Sequence, residues 1–227
     1  MRILKLLFIF ILSVSIKSTA QDRPPNIVLL MADDMGYECL SANGSTSYNT
    51  PVLDKLGRDG IRFNYAISQP LCTPSRVKIM TGKCNYRNYK RFGYLDVNEK
   101  TFGNLLQDAG YSTCVVGKWQ LNGPSSEYGT SKEDMLKRPQ HFGFDEYCLW
   151  NFIGGSRNRY ANPNLYQNGR QLAGLEDAYG PDVVSDYAID FMRRNKQKPF
   201  LLYYPMILTH NPFVPTPDSK EWKDQNL

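Results

Sequence analysis

Three apolar runs, each followed by polar residues, constrain the fold of this chain more than any other feature. They are residues 26–32 (NIVLLMA), 111–116 (YSTCVV) and 199–206 (PFLLYYPM). Each run is short and contains β-branched or aromatic residues, which is typical of buried strands in a parallel sheet. Segments with helical periodicity separate them. This alternation predicts an α/β domain with a mixed, mainly parallel sheet and helices on both faces.

Three helices are predicted between these strands from capping signals and apolar periodicity, in addition to a short one considered below. One begins after Thr50, with a proline at its first position, and ends near Gly60; a second begins at the capping residue Thr101 and ends at Gly110. The third spans residues 181–195 and has a continuous apolar stripe. The expected apolar faces are Phe102, Leu105, Leu106 and Ala109 for the second helix, and Val183, Val184, Tyr187, Ala188, Phe191 and Met192 for the third.

The other segments are expected to be irregular, apart from a short strand over residues 61–67. Residues 83–98 are rich in Tyr, Asn and Arg without a clear period, and a solvated face is favoured there over a sugar contact. Residues 121–180 carry many Gly, Asn, Pro and Tyr residues. We therefore expect long loops over the carboxyl edge of the sheet, where substrate selectivity tends to reside.

The run from Cys72 to Gly82 (CTPSRVKIMTG) predicts a short helix with a reactive group at its start. Thr73 is suited to cap this helix, Pro74 to occupy its first position, and Gly82 to end it in the left-handed conformation. Cys72 is then held at a helix N-terminus, where the helix dipole and free backbone N–H groups favour an anion.

Arg76 lies one turn after Cys72 and supplies a planar, permanently charged group suited to a tetrahedral oxyanion. A lone cysteine is more often simply buried, and a lone arginine is more often a surface charge. A nucleophile and an anion-binding group at one helix N-terminus indicate instead the transfer of a group from a sulfate or a phosphate.

Polar residues also follow each of the three predicted strands. Asp33 and Asp34 follow the first strand, Lys118 and Gln120 the second, and His210 the third. Open α/β sheets place their ligand sites at the carboxyl ends of strands, so we expect these side chains to meet there. Adjacent carboxylates repel each other unless a cation or strong donors hold them, and hard oxygen ligands suit Ca²⁺ or Mg²⁺.

These motifs resemble those of the sulfatase family over residues 24–218. The run from Cys72 to Gly82 matches the family pattern C-x-P-S-R followed by T-G at every defining position, and further family segments are resembled by residues 50–63, 110–118 and 204–213. The resemblance implies an alkaline-phosphatase-like α/β fold and the hydrolysis of sulfate esters. Sulfated glycans are the expected substrates.

The same resemblance assigns a modification and a metal site. Cys72 is expected to be oxidised after translation to Cα-formylglycine, whose hydrated aldehyde is the nucleophile. This implies a partner, a formylglycine-generating or sulfatase-maturing enzyme that recognises the run from Cys72 to Arg76. Asp33, Asp34 and residue 72 are expected to bind a divalent cation, with Ca²⁺ favoured over Mg²⁺.

The resemblance also implies that residues at the other strand ends bind the sulfate. By resemblance Lys118 contacts both the sulfate and the nucleophile, and His210 binds sulfate and is a candidate acid for the leaving oxygen. Many family members carry a histidine two residues after the lysine, where this chain has Gln120. Glutamine can hydrogen-bond to substrate but does not accept a proton at neutral pH. Activity by the usual route is therefore in question.

The chain also differs from the family in length. In the family an Asp-Asn or Asp-His pair normally completes the metal site and a second lysine accompanies it, and no such pair is visible after His210. We expect residues 21–227 to be the N-terminal part of the catalytic domain, with the C-terminal part absent. Alone, they are expected to bind metal weakly, to hydrolyse little and to leave sheet edges exposed.

Residues 1–20 predict a secretory signal peptide. Arg2 and Lys5 precede an apolar run that is too short to span a bilayer comfortably, and small residues follow it. The protein is thus expected to be exported, to the periplasm or the medium, or to a lysosome or the extracellular space in a eukaryote. Removal of the segment lowers the formal charge from +5 to +2, with 24 basic against 22 acidic residues. No basic block then argues for a nucleic-acid partner.

The chain has five cysteines, an odd number, and their spacing sets neither a disulfide pattern nor a zinc site. His141 has no strand-end context and is interpreted as structural.

Two alternatives to a sulfatase stay open. One is a phosphonate or phosphodiester hydrolase, because related enzymes use the same nucleophile. The other is a non-catalytic sulfate- or glycan-binding relative, or an inactive fragment, as Gln120 and the chain length would favour.

Overall fold

A computed structural model describes residues 23–124, 131–154 and 157–222. The predicted signal peptide, residues 1–20, lies outside this part of the chain. The described residues form a six-stranded sheet in the order β1-β6-β2-β3-β4-β5. Strands β1, β6, β2 and β3 run parallel, and β4 and β5 add an antiparallel edge. The strands are β1 Ile27–Asp33, β2 Ser112–Lys118, β3 Glu146–Trp150, β4 Leu165–Gln167, β5 Arg170–Gln171 and β6 Phe200–Thr209.

Six α-helices accompany this sheet in the described ranges. They are α1 Pro51–Asp59, α2 Cys72–Thr81, α3 Asn85–Asn88, α4 Phe102–Asp108, α5 Lys132–His141 and α6 Gly180–Asn195, and short 3₁₀ turns occur at Tyr37–Cys39, Ser41–Asn43 and Lys220–Trp222. The predicted helices after Thr50 and Thr101 and over residues 181–195 are confirmed. Thr101 forms the expected cap, since its Oγ1 accepts from the N–H of Gly103 at 3.0 Å.

Helices cover both faces of the sheet, as predicted. One face packs against α2 and α4, with Val77 and Met80 of α2 and Phe102 of α4 against Val115 and Tyr203. The other face packs against α6. This second core consists of Cys114, Val116, Cys148, Trp150, Leu165, Phe200, Leu202, Tyr204 and Ile207 from the sheet side, with Val184, Ala188 and Phe191 of α6. Alternate strand residues serve the two cores because successive side chains point to opposite faces.

The expectation that the first apolar run is a fully buried strand is wrong. Within the described residues β1 pairs only with β6, so it lies at an edge of the sheet. Val28 and Leu30 are 46% and 54% exposed, whereas Ile27 and Leu29 pack against the core. An apolar run of this kind does not report whether a strand is central or at an edge.

Residues 61–67 do not form the predicted strand. Their backbone has no ladder partner in the described part of the chain, and Ile61, Phe63, Tyr65 and Ile67 are 77–96% exposed. Helix α1 is also without a buried residue, although Val52 and Leu56 lie on an amphipathic helix. We call residues 52–67 the exposed apolar segment.

The prediction of long loops over residues 121–180 is wrong for two segments, which form a helix and a strand of the sheet. Helix α5 and strand β3 lie in this segment, and β3 is a core strand beside β2. Pro139 inside α5 and the short run EYCLW in β3 weaken the sequence signal of both elements. The predicted apolar face of α4 also fails at Leu105, which is 63% exposed.

Candidate active site

Helix α2 begins at Cys72, with Leu71 in an extended conformation as its N-cap. The loop before it is held by Ser75, whose Oγ donates to the Leu71 carbonyl at 2.9 Å and accepts from the Gln69 N–H at 3.1 Å. The prediction of Thr73 as N-cap is wrong, because Thr73 is buried and its Oγ1 accepts from the N–H of Gly93 at 3.1 Å. Cys72 nevertheless lies at the helix N-terminus, as predicted.

Cys72 faces a buried lysine from the neighbouring strand end. The Nζ of Lys118 lies 3.4 Å from the Sγ of Cys72 and 2.6 Å from Oδ2 of Asp33. Both charged side chains are almost fully buried, 3% and 6% exposed. Burial weakens solvent screening, so the lysine charge acts strongly on whatever group residue 72 carries.

Arg76 is turned inward rather than toward open space. Its Nε donates to the Cys72 carbonyl at 3.2 Å, and its Nη1 donates to the carbonyls of Lys118 at 3.3 Å and Trp119. The side chain is 2% exposed, and Nη2 has no hydrogen-bond partner among the described residues. Arg76 therefore ties the start of α2 to the end of β2, and only one of its three nitrogens is uncommitted.

Gln120 also contacts this cysteine. Its Oε1 is 3.9 Å from the Sγ of Cys72, and its backbone has a φ of 44°, in the left-handed region. The N–H of Gln120 donates to the carbonyl of Asn151 at 3.0 Å, and Asn151 has a φ of 52°. Left-handed residues thus follow the ends of both β2 and β3, and such strained backbone is frequent at functional sites.

Asp34 and His210 form a second pair at the ends of β1 and β6. Asp34 Oδ2 lies 3.4 Å from His210 Nε2, and the Thr209 hydroxyl donates to the Asp34 carbonyl at 3.3 Å. The Asp34 side chain is 58% exposed and that of His210 is 25% exposed. The imidazole Nδ1 lies 2.8 Å from the carbonyl of Asn211, which orients the ring.

All the predicted strand-end residues thus lie at one edge of the sheet, in two contacting groups joined through the adjacent residues Asp33 and Asp34. Sequence reasoning missed Tyr160, whose hydroxyl donates to the carbonyls of Ile207, at 3.1 Å, and His210. Burial raises the pKa of Tyr160. No local sequence pattern marks this residue, because it lies in a stretch without periodicity.

The described residues do not fit a complete calcium site. Apart from Asp33 and Asp34 they bring no further carboxylate to this edge, and no group of three or more His, Cys, Asp or Glu side chains suited to a metal occurs in the described ranges. Ca²⁺ takes about six to eight oxygen ligands. Asp33 already has Lys118 as its counter-ion. Additional ligands would be needed for tight binding.

The other four cysteines are separate from this site, and none of the five forms a disulfide. Cys114 and Cys148 are buried in the second core, where desolvation raises the pKa of the Cys114 thiol well above its usual value and that of Cys148 to about 12. His141 has a structural place, as predicted: its Nε2 is 2.7 Å from the Val97 carbonyl. No helix in the described ranges is long and apolar enough to cross a membrane.

Comparison with known proteins gives a consistent result. The Sulfatase family model matches residues 25–226. The chain is 32% identical over 208 residues to an N-acetylglucosamine-6-O-sulfatase of Bacteroides thetaiotaomicron, covering 87% of this chain and 33% of that protein. It is 30% identical to arylsulfatase G of Rattus norvegicus, covering 94% of this chain and 46% of that one.

The fold agrees with these matches. A solved structure described as a complex with its substrate D-glucosamine-2-N,6-O-disulfate superposes with a TM-score of 0.70 at 30% identity, covering 86% of this chain and 36% of that chain. The prediction of an alkaline-phosphatase-like α/β fold is confirmed. The chain spans about a third to a half of the length of the curated relatives it matches.

Proposed function

The chain belongs to the sulfatase family, and on that premise we propose that it forms the N-terminal part of the catalytic domain of an exported sulfatase. This enzyme hydrolyses sulfate esters of glycans. The observation that carries this proposal is the contact between the Sγ of Cys72 and the Nζ of Lys118, 3.4 Å apart at the start of α2. A nucleophilic position beside a buried cation is the arrangement that the transfer of an anionic group requires.

The environment of Cys72 fits its conversion to formylglycine. The side chain is partly exposed, lies at a helix N-terminus, and has both the cation of Lys118 and the amide oxygen of Gln120 as neighbours. A hydrated aldehyde at residue 72 would supply the oxygen nucleophile that attacks the sulfur of the ester. A maturing enzyme is the implied partner.

Three residues of this chain are assigned roles around that position. Lys118 stabilises negative charge on the sulfate oxygens, and its ion pair with Asp33 holds the ammonium group in place. Arg76 positions residue 72 by binding its carbonyl, and its Nη2 is the uncommitted donor on this side. His210 donates a proton to the leaving alcohol oxygen, with Asp34 and Asn211 orienting the ring.

The substrate assignment rests on the relatives. One is an N-acetylglucosamine-6-O-sulfatase, and the superposed structure is described with a disulfated glucosamine as its substrate. We therefore propose a sulfated glycan as substrate for this protein. We also propose Ca²⁺ at Asp33, Asp34 and residue 72, completed by further oxygen ligands, and export directed by residues 1–20.

Mass spectrometry of the protein isolated from its native host tests the proposal directly. The expected result is a mature chain without residues 1–20 and with formylglycine at position 72, whose peptide has exchanged sulfur for oxygen and lost two hydrogens. Turnover of an aryl sulfate should then exceed that of an aryl phosphate diester, and Cys72→Ala should abolish it. A dominant phosphate diester activity would favour the phosphonate or phosphodiester hydrolase alternative.

A second candidate function is favoured by Gln120. An amide in contact with the nucleophilic position cannot act as a base, which suits a sulfate- or glycan-binding relative without turnover. In that case native protein would keep an intact thiol at Cys72, bind sulfated glycan, and show no hydrolysis when Gln120→His is introduced.

A further inference from the structure

An open pocket of about 480 Å³ lies beside the nucleophilic position. Gln120 is part of its wall and also contacts Cys72, with Oε1 3.9 Å from Sγ. The other walls come from residues 91–93, the start of α5 and the segment after β3. A ligand whose reacting group is at residue 72 can therefore extend directly into this pocket.

The pocket is positively charged. Arg91, Lys132 and Arg157 line it, and its described lining contains no Asp or Glu. Lys132 and Arg157 are exposed, so their charged ends are accessible to a ligand in solution. A cleft lined by charges of one sign concentrates ligands of the opposite sign.

Apolar and rigid groups complete the pocket. Phe92 is 45% exposed and contributes aromatic surface, which suits the apolar face of a sugar ring, and the buried Phe152 packs behind the pocket wall. Asn122 is buried, and both of its amide atoms are hydrogen-bonded: Nδ2 donates to the Phe152 carbonyl at 2.6 Å and Oδ1 accepts from Trp119 Nε1 at 2.7 Å. Such bonds hold this wall in one geometry without ligand, which lowers the entropic cost of binding.

We propose that this pocket binds a second anionic group, a sulfate or carboxylate on the same or an adjoining sugar of the glycan whose sulfate ester lies at residue 72. The inference rests on the proposed function for the position of the first sulfate. It goes beyond that function because it assigns Lys132 and Arg157, with Arg91, to the selection of multiply charged glycans over singly charged ones.

Isothermal titration calorimetry of the mature chain with a monosulfated disaccharide and its disulfated counterpart tests this inference without requiring turnover. We expect the disulfated sugar to bind about tenfold more tightly, as one added charge-assisted contact would give. Lys132→Gln and Arg157→Gln should each reduce that ratio, and the double variant should bring it close to one. Because both side chains are exposed, these variants should keep the circular dichroism and Tm of the parent.

Lys137→Gln is the matched control. Lys137 lies on the same helix α5, is exposed, and pairs with Glu133 at 2.6 Å instead of lining the pocket. The Lys137→Gln variant removes the same charge and should leave the ratio of the two sugar affinities unchanged. A ratio that survives the double variant, a ratio of one in the parent, or an equal loss in Lys137→Gln would overturn the inference.

The two proposals fail separately. Inorganic sulfate, titrated into the Lys132→Gln, Arg157→Gln double variant, reports on the nucleophilic position, and adding Lys118→Met together with Asp33→Asn should weaken its binding. If that holds while the pocket variants leave the sugar ratio unchanged, the pocket proposal is wrong and the proposed function stands. If the ratio follows the pocket variants but native protein carries a thiol at Cys72 and shows no turnover, the hydrolase proposal is wrong and the pocket proposal stands.

Discussion

Lys118 and Asp33 form an ion pair that is buried under the carboxyl edge of the sheet, with Nζ 2.6 Å from Oδ2. The two residues are 85 positions apart and come from β2 and β1, which are separated in the sheet by β6. Because neither charge has ready access to water, each depends on the other for its solvation. The pair therefore links the stability of this edge to the charge beside residue 72.

Lys118→Met is expected to destabilise the chain by about 3–5 kcal/mol, because it leaves the Asp33 carboxylate buried without a partner. Adding Asp33→Asn should recover most of that loss. Urea denaturation of the parent, both single variants and the double variant measures the coupling. Additive losses in the double variant would show that the pair does not behave as a unit.

Arg76→Lys is expected to lower stability by about 1–3 kcal/mol, since a lysine cannot reach the carbonyls of Cys72, Lys118 and Trp119 together and leaves at least one of them without a donor. The measurement is again the free energy of unfolding. Lys78→Arg, on the same helix, is the control because Lys78 is not part of this network. No loss in Arg76→Lys would refute the positioning role of the guanidinium.

Thiol labelling should separate the five cysteines by burial. Iodoacetamide at neutral pH should modify the exposed Cys84 and leave Cys114 and Cys148 unreacted, because burial raises their pKa and excludes the reagent. Peptide mass spectrometry gives the extent at each site. In protein from the native host, residue 72 should also resist labelling, because the proposed formylglycine carries no thiol. Fast labelling of Cys148 in folded protein would contradict the packing of β3.

The ion pair between Glu146 and Arg194 predicts a pH dependence of stability. Hydrogen bonds from Arg194, with Nη2 2.7 Å from Oε2, hold the pKa of Glu146 below its ordinary value. A depressed carboxylate pKa contributes stability that is present above about pH 4.3 and is lost as the pH falls further. The difference in Tm between the parent and Glu146→Gln should thus shrink between neutral and acid pH. If this Tm difference does not change with pH, the titration of Glu146 does not contribute to the loss of stability in acid.

The exposed apolar segment predicts self-association of the 21–227 chain. Phe63 and Tyr65 are 77% and 96% exposed, which is unusual for aromatic side chains of a monomer. Phe63→Ser with Tyr65→Ser should lower the weight-average mass in analytical ultracentrifugation and change the free energy of unfolding by less than about 0.5 kcal/mol, since neither ring is packed. Asn64→Ser is the control within the same segment. Association that persists in the double variant would place the self-associating surface elsewhere.

The sequence by itself determined the class of the fold and most of the side chains that lie at the candidate site. Apolar runs and helix periodicity are local properties, and they located β1, β2, β6, α4 and α6 to within a few residues. Strand ends are local as well, so the sequence alone was enough to assign Asp33, Lys118 and His210 to one edge of the sheet.

Only the tertiary structure decided which of these side chains touch. Strand order and register depend on contacts between distant segments. Because β6 lies between β1 and β2, His210 at the end of β6 contacts Asp34, and Lys118 at the end of β2 pairs with Asp33. The inward turn of Arg76 follows from the position of the β2 carbonyls, which no local pattern specifies. The exposure of residues 61–67 is decided in the same way, because an apolar run records a preference for burial and not the presence of a partner that provides it.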